Sequence, residues 1–552
     1  MTTATVARPG ATVAAAGPAR RGTFAGTGTL VRFMLRRDRV RLPGWVAGIG
    51  LFWLYYTRLV PSVYASDDDL RGISQLMEGP MGRVLTGPAH GFADLSHDRL
   101  VVGGYGLYLV LLAALMSLLT VVRHTRAEEQ TGRAELVRAN VVGRHAPLTA
   151  ALLVTVVTNL AVAATVAAVT VTAPEFGPGG SLLFAAGVAL AGLAFAGLAS
   201  VTVQVTEFSR AAAGLAGGAL GAAFVVRALG DMTREGGSAV SWLSPLAWSQ
   251  QTAPFVLDRW WPLLLSAGFA AATTSVGYVL SERRDVGATM FAVRPGPDRA
   301  ASWLRSPFTL SLRLQRASIV GWTASLAVAG LVYGAWADAM LTSLDDLPDV
   351  LVDVTGGEGD IVVGYLALMA LFMALTIGIY VVLAMQSLRT EETSGRGEPV
   401  LATATSRWAW LGTHVAAVSL GVGVMLAVTG LATGIGAAAV TGEVAHVWEV
   451  TGAHLAYAPA VLCVLGLGAL LFGVAPRMMG LAWAVLGYGL VVGVFGPVME
   501  LPGWSHDLSP FEHVGRIPQD PLRVVPLVVL AVIAAAGVIA GLVTFRQRDV
   551  NV

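Results

Sequence analysis

Twelve apolar stretches, each long enough to cross a lipid bilayer, recur along the 552-residue chain. The hydrocarbon core of a bilayer is about 30 Å thick, which requires roughly 20 consecutive apolar residues in a helix. Backbone groups inside it must be satisfied within the segment, which favours helices. The predicted spans lie near residues 42–64, 100–122, 147–173, 181–205, 210–229, 261–280, 318–341, 361–386, 409–436, 453–474, 477–498 and 522–545. The sequence therefore predicts an all-α integral membrane protein with twelve transmembrane helices.

The composition excludes several other classes of protein. Charged residues make up 13% of the chain, whereas soluble domains carry roughly 25%. The net charge of +1 gives no support for nucleic-acid binding. The single Cys463 excludes an internal disulfide and a cysteine-based metal site. Residues 1–28 lack the apolar core of a signal peptide and are predicted to be a flexible cytoplasmic tail.

A charged motif occurs twice. The first copy, RAEEQTGRAELVRANVVGR, begins at Arg126, and the second, RTEETSGRGEPVLATATSR, begins at Arg389. They align without a gap at an offset of 391 − 128 = 263 residues. The aligned pairs are Glu128 and Glu391, Glu129 and Glu392, Gly132 and Gly395, Arg133 and Arg396, Glu135 and Glu398, and Arg144 and Arg407. Such a long-period repeat indicates a duplicated architecture.

Smaller matches extend this duplication. Arg284-Asp285-Val286 recurs as Arg548-Asp549-Val550. Six spans in each half give both halves the same orientation, so parallel repeats related by an axis along the membrane normal are predicted. The predicted domains are the tail, a first half over 29–290, a cytoplasmic linker over 291–307 and a second half over 308–552.

Charge asymmetry predicts the orientation. Arginines cluster before the first span, between the sixth and seventh spans and after the last one, whereas acidic residues follow the first and seventh spans. The positive-inside rule then places both termini and both motif copies in the cytoplasm, in a bacterial plasma membrane.

The sequence contains no obvious energy source. An ion-coupled carrier needs ionisable groups within its helices, but Asp338 and Glu500 lie at span ends. His414 is the main exception, interpreted as a helix-start histidine that reaches the interface or a neighbouring carbonyl. All 36 basic residues are arginine, so the lysine of an ATP-binding P-loop is missing. ATP-driven work therefore requires a separate subunit.

The motif is a candidate contact for such a subunit. In a short helix, Glu129 and Arg133 lie four residues apart, as do Glu392 and Arg396, which predicts one intrahelical ion pair in each copy. Glutamates seven residues apart share a face. The central glycine suggests a bend or a close backbone contact. The alternative is a solvated loop with incidental charge pairs, but two gapless copies favour a protein-contact element.

The pattern EE-x-x-G-R-x-E, the six-helix halves and a Ser-Pro segment before each last helix resemble ABC-2-type exporter permeases. The duplicated single chain resembles actinobacterial exporters of polyketide antibiotics of the tetronasin type. The resemblance implies a fused pseudo-dimer whose coupling elements dock on two copies of a separate nucleotide-binding ATPase. That partner would bind ATP and Mg²⁺, and this chain would bind no cofactor or metal. The implied coupling residues are Glu128, Glu129, Gly132, Arg133, Glu135, Glu391, Glu392, Gly395, Arg396 and Glu398. Pro399, which replaces Leu136, predicts an earlier end for the second element.

Each Ser-Pro segment, Ser244-Pro245 and Ser509-Pro510, fits a helix start with serine as N-cap and proline in the first turn. The resemblance implies a short outer helix that helps to close the exit, and the alternative is an ordinary outer-loop helix.

The resemblance also implies a substrate cavity formed by the second and fifth helices of each half. Aromatic and methionine side chains there suit a large hydrophobic molecule, although such residues equally serve as core or lipid-facing positions. The candidates are Tyr105, Tyr108, Met116, Phe224, Tyr365, Met373, Tyr380, Trp483, Tyr488 and Phe495. Arg227 is expected to reach the membrane interface, and the alternative is that it attracts an anionic or carboxylated substrate.

The predicted function is therefore the permease of an ATP-driven exporter that moves amphiphilic antibiotics outward by alternating access. Alternatives are export of a lipid or cell-envelope component, an ion-coupled multidrug carrier, and a membrane anchor or sensor that transports nothing.

Overall fold

The computed structural model describes residues 22–133, 135, 142–173, 175–284, 298–337, 361–496 and 501–548. Over these ranges the chain is helical, and no strand is assigned. Eleven helices in this part of the chain are long and apolar enough to cross a membrane. Asp338, Glu500 and residues 291–297 of the predicted linker lie outside the described residues.

A helix accompanies each of the twelve predicted spans. The long helices are α1 (Arg41–Val63), α2 (His97–Gln130), α3 (Ala146–Val171), α4 (Pro178–Val205), α5 (Ser209–Asp231), α6 (Pro262–Glu282), α7 (Pro307–Ala335), α8 (Ile361–Thr393), α9 (Arg407–Thr441), α10 (Ala445–Val474), α11 (Pro476–Val494) and α12 (Val524–Gln547). Helix α1 is not among the eleven candidate spans. Its sequence includes tryptophans, tyrosines, glycines and prolines, which lower its hydropathy. The structure therefore supports eleven candidate spans, and the twelfth stays a prediction.

The chain forms two compact units. The first contains Met1–Pro61 and Val84–Arg294, and the second contains Ser62–Arg83 and Pro295–Val552. In the first unit, α4 is central and packs on α2, α3 and α6. In the second, α10 packs closely on α12, and α7 on α9. The fourth helix of each half thus packs on the sixth.

Glycine allows the close approach of α10 and α12. A Cβ added to Gly466 would lie 2.6 Å from the carbonyl oxygen of Ala534, and one added to Gly537 would lie 2.9 Å from the carbonyl carbon of Gly466. Small residues are typical of helix contacts in membranes because no hydrophobic force drives helices together there.

The two halves begin differently. The basic segment before α1 forms a separate amphipathic helix, Thr27–Arg37, whereas the corresponding segment of the second half is continuous with α7. A break at 38–40 separates the amphipathic helix from α1.

Candidate coupling site

Both motif copies end a membrane-length helix at the same position. Helix α2 ends at Gln130 and α8 ends at Thr393, which are aligned residues. Gly132 and Gly395 follow with φ angles of 74° and 69°, a left-handed conformation that glycine adopts without steric cost. A Cβ on either glycine would meet nothing within 4 Å, so a bend and not a close contact explains them. The earlier end expected from Pro399 is wrong, because the shared glycine turn follows both helices at the same position.

The second glutamate of each copy binds the arginine that follows the last helix of its own half. Glu129 accepts hydrogen bonds from Arg284 Nη1 and Nη2 at 2.9 and 2.7 Å, and from Arg126 at 2.5 Å. Glu392 accepts one from Arg548 at 2.6 Å. The two glutamate side chains are only 12% and 8% exposed. These carboxylates therefore bind the chain itself.

The last arginine of each copy binds the carboxyl end of the same last helix. Arg144 donates to the carbonyl of Glu282 at 2.6 Å. Arg407 donates to the carbonyls of Arg546 and Arg548 at 3.2 and 2.5 Å. The final carbonyls of a helix have no partner within it, and arginine there also interacts favourably with the helix dipole. These contacts fasten α6 and α12 to the motif.

We call these two sets the clamps. The first clamp is Glu129, Arg144 and Arg284, and the second clamp is Glu392, Arg407 and Arg548. Sequence reasoning found every member but not the pairing between them. The signal was present, because both repeated segments keep nearly the same offset and were predicted to lie on the same side of the membrane.

The predicted intrahelical ion pairs are not present. Glu129 and Glu392 bind other arginines, and Arg396 donates to Ser394 at 3.0 Å. The glycine turn lies between the members of each predicted pair, so the helical four-residue spacing is lost. The same turn removes the face expected to be shared by glutamates seven residues apart. The exposed charged residues of the turns are Arg133, Glu135, Arg396 and Glu398.

The first half has an additional charged network. Glu128 pairs with Arg37 at the end of the amphipathic helix. Asp38, 2% exposed, binds Arg123 at 2.9 Å and lies 3.0 Å from His124. Burial alone would raise the pKa of Asp38, but the Arg123 hydrogen bond and the neighbouring positive charges lower it below its usual value. The start of the first half is thereby fixed to the end of α2.

The first Ser-Pro segment is followed by a short helix, Pro245–Gln250, at the predicted position. Ser244 is its N-cap and accepts a hydrogen bond from the Leu246 amide at 3.3 Å. The Ser244 hydroxyl also donates to the carbonyl of Ala223 on α5 at 2.7 Å, which fixes the helix to the first unit. The predicted N-cap is confirmed here.

The second Ser-Pro segment differs. Ser509 is buried, and its hydroxyl has no hydrogen-bond partner among the described residues. Its carbonyl accepts from the Glu512 amide at 3.2 Å, and only a short 3₁₀ helix, Glu512–Val514, follows. The N-cap predicted for Ser509 is therefore wrong, because Pro510 starts a turn and not an α-helix.

The substrate candidates divide by exposure. The buried ones are Met116, Tyr365, Met373 and Tyr380; the half-buried ones are Tyr105, Phe224 and Tyr488; and the exposed ones are Tyr108 and Trp483. The side chain of Phe495 lies outside the described part. Helices α8 and α11 do border a cavity of about 210 Å³, lined by Leu371, Val492 and Glu512 among others. None of the candidate side chains lines it.

An aromatic cluster in the first unit was missed. Tyr56 of α1 lies 4.3 Å from Tyr105 of α2 between ring centroids, and Phe52 lies 6.4 Å from Tyr108. Tyr55 contacts Tyr56 at 5.3 Å and is 43% exposed. We call these five residues the aromatic strip. The run FWLYY in α1 was the available signal.

The side chain of Arg227 does not reach the protein surface. It is fully buried, 3.4 Å from Asp231, and its guanidinium lies 4.8 Å from the ring centroid of Phe224. It also donates to the carbonyl of Val84. The expectation of snorkelling is wrong, because this buried side chain joins α5 to the segment at Val84 in its own unit.

Buried histidines in the second unit bind backbone carbonyls. His414 Nε2 lies 3.1 Å from the carbonyl of Ala384, as its interpretation anticipated. His454, which sequence reasoning passed over, is buried with Nδ1 2.8 Å from the carbonyl of Val450.

Comparison with known proteins identifies the family. The family model described as "Multidrug efflux system permease Rv1217c, C-terminal domain" matches residues 28–280 and 304–546. The multidrug efflux system permease protein Rv1217c of Mycobacterium tuberculosis is 37% identical over 543 residues, which is 97% of each chain. With its apolar helices and this relationship, the chain belongs to the Rv1217c family of efflux permeases and is a multi-pass membrane transport protein.

Proposed function

We propose that this chain is the membrane subunit of an ATP-driven exporter and that its two motif turns contact two copies of a separate nucleotide-binding ATPase. The observation that supports this most directly is the pairing of each exposed turn with a clamp. Each turn exposes an arginine and a glutamate at aligned positions. The glutamate that precedes each turn, Glu129 or Glu392, is instead bound to an arginine of the chain itself.

The clamp gives the turn a mechanical connection to two helices. Force applied to the first turn reaches α2 directly and α6 through Glu129 and Arg284. Force on the second turn reaches α8 directly and α12 through Glu392 and Arg548. Movement of a partner would thus displace the second and sixth helices of each half together, as alternating access requires.

The partner would supply the nucleotide site. ATP and Mg²⁺ would bind to the ATPase, since the chain has no lysine for a P-loop. Both termini and both turns would then lie in the cytoplasm of a bacterium, with the chain in the plasma membrane.

The proposed cargo is an amphiphilic antibiotic or drug, with polyketide-like molecules as one class. The relative's name states multidrug efflux. The aromatic strip adds support, since Tyr55 and Tyr108 are 43% and 39% exposed beside other rings. Such rings offer large contact areas together with polar hydroxyls.

The test is drug uptake into inverted membrane vesicles that contain the chain and the ATPase that co-purifies with it. We expect uptake to require ATP and to persist when the proton gradient is collapsed. The double variant Arg133→Glu with Arg396→Glu should abolish uptake and ATPase co-purification, because the exposed charge of both turns is reversed.

The matched control is Arg313→Glu with Arg316→Glu, which reverses two exposed arginines outside the motif. It should retain both properties. Uptake driven by a pH gradient without ATP would overturn the proposed function. Unchanged uptake in the motif variant would overturn the assignment of the turns.

A further inference from the structure

The first unit contains a cavity of about 450 Å³ between the amphipathic helix and the first motif copy. This volume lies within the roughly 300–1,000 Å³ typical of small-molecule pockets. One wall is apolar and includes Leu30, Met34 and Leu148. The cavity lies at the arginine-rich ends of the helices, where a membrane protein meets lipid headgroups.

The charged part of the lining carries an excess of positive charge. It contains four arginines and two glutamates, namely Arg37, Arg133, Arg144, Arg284, Glu128 and Glu129. Two of the arginines are already paired with the glutamates, and the remaining two leave a net positive wall. An anion is therefore favoured in this cavity.

A buried amide also faces the cavity. Gln204, near the end of α4, is 3% exposed and lines the cavity. Its Oε1 atom is buried and has no hydrogen-bond partner among the described residues. Buried polar groups of this kind are normally satisfied. Because an amide oxygen accepts hydrogen bonds, the buried Oε1 is an independent sign that a ligand with a donor group, such as a hydroxyl, belongs here.

The roof of the cavity is fixed at both ends. Before the amphipathic helix, the carbonyls of Thr23 and Ala25 accept hydrogen bonds from the amides of His145 and Gly143 at 2.9 and 2.8 Å. At its other end, Arg37 pairs with Glu128. The cavity is therefore formed before any ligand binds.

The second half lacks this arrangement. Gly44-Trp45 at the start of α1 recurs as Gly321-Trp322 in α7, an offset of 321 − 44 = 277 residues. This offset aligns Arg37 with Leu314 and Asp38 with Gln315. Helix α7 also continues through this region without the break that separates the amphipathic helix from α1. The feature is specific to the first half.

We propose that this cavity binds the headgroup of an anionic phospholipid from the surrounding membrane. The phosphate lies against Arg133 and against the N–H groups of Arg37 other than Nη1, which contacts Glu128. Gln204 Oε1 accepts a hydrogen bond from a headgroup hydroxyl, and the first methylene groups lie along the apolar wall. Arginine binds phosphate oxygens strongly through paired N–H groups. Basic pockets next to membrane helices bind anionic lipid headgroups by the same chemistry. The bound lipid holds the amphipathic helix against the first motif copy.

The test is lipid titration of the purified full-length protein followed by native mass spectrometry. We expect one phosphatidylglycerol to bind at least tenfold more tightly than phosphatidylcholine. Arg37→Leu, which copies the second half, and Gln204→Leu should each raise its dissociation constant about tenfold. Arg37→Lys keeps the positive charge and should therefore lose less affinity for phosphatidylglycerol. It also provides a folded comparison if Arg37→Leu is unstable. The control Arg316→Leu removes an exposed arginine of the second half and should bind as the wild type does.

Three results would overturn the proposal. The first is equal affinity for the two lipids. The second is unchanged phosphatidylglycerol binding in Gln204→Leu together with unchanged binding in Arg37→Leu, or in Arg37→Lys if Arg37→Leu does not fold. The third is displacement of the lipid by inorganic phosphate or by a transported drug at equal concentration, which would identify a free-anion site or a substrate site instead.

Discussion

Removal of the Glu129 carboxylate tests how strongly the first clamp stabilises the protein. In Glu129→Gln the shape is nearly unchanged, but Arg126 and Arg284, which are 1% and 7% exposed, lose their shared counter-charge. Breaking a buried ion pair by removing one partner costs about 3–5 kcal/mol. Both partners here are far below one-third exposure, so we expect a loss within that range.

Removal of the corresponding carboxylate in the second clamp should cost less stability. Glu392 binds one arginine, Arg548, through one hydrogen bond, and that arginine is 20% exposed. Arg548 also keeps its contacts with the rings of Phe472 and Phe545, at 5.2 and 5.4 Å. A hydrogen bond to a charged group contributes about 1.5–3 kcal/mol, so Glu392→Gln should cost about that amount.

The assay is reversible unfolding of the purified variants in mixed micelles, with a double-mutant cycle for Glu129 and Arg284. The double variant Glu129→Gln with Arg284→Gln should lose less stability than the two single variants together, with a coupling energy of about 1–3 kcal/mol. Glu135→Gln, an exposed position in the same motif, should change the free energy of unfolding by less than about 0.5 kcal/mol. Additive single losses, or a Glu129→Gln loss no larger than that of Glu135→Gln, would refute a stabilising clamp.

Two further predictions concern the motif glycines and His90. Gly132→Ala and Gly395→Ala should each lower the free energy of unfolding by roughly 1–2 kcal/mol, because alanine is strained at positive φ although its Cβ meets no atom. Asparagine tolerates this conformation, so Gly132→Asn and Gly395→Asn should lose less stability. Equal losses in the alanine and asparagine variants would contradict this explanation. Burial, together with a nearby arginine charge, lowers the pKa of His90 below 6.5 although Gln251, 3.1 Å away, opposes this. The neutral histidine is therefore favoured by folding, and its contribution is present above pH 6.5 and lost as the pH falls through the lowered pKa. The melting temperature should fall between pH 7.5 and 5.5, and His90→Gln should reduce that fall; an undiminished fall in the variant would exclude His90 as its source.

The helices were predictable because their signal is local. Apolar length located a helix at each predicted span, and serine before proline identified the N-cap at Ser244. Hydropathy alone was less informative for α1, because aromatic residues lower the mean hydropathy of this segment although it is helical. Helical spacing also gave the wrong ion pairs around Gly132 and Gly395, because residues four apart do not lie on one face when a left-handed turn separates them.

The clamp partners could not be derived from the sequence by spacing within one element. Glu129 and Arg284 are separated by 155 residues, and only the packing of the fourth helix on the second and sixth brings their helix ends together. Arg227 failed for a related reason: an arginine near a helix end is normally assigned to the interface, and its buried partner Asp231 was placed just beyond the predicted span.

The two clamps have equivalent hydrogen bonds but different surroundings, and this difference affects how a partner would act through them. Around the first, stabilisation comes from charge, through Arg126 and the Asp38 network that fixes the amphipathic helix. Around the second, it comes from apolar packing, where Trp410, Phe472 and Phe545 form a ring cluster beside Arg548. Salt screens partly exposed charges more than it affects packing. The connection between turn and last helix should therefore weaken with ionic strength in the first half more than in the second, so two identical ATPase copies would act on halves that respond unequally.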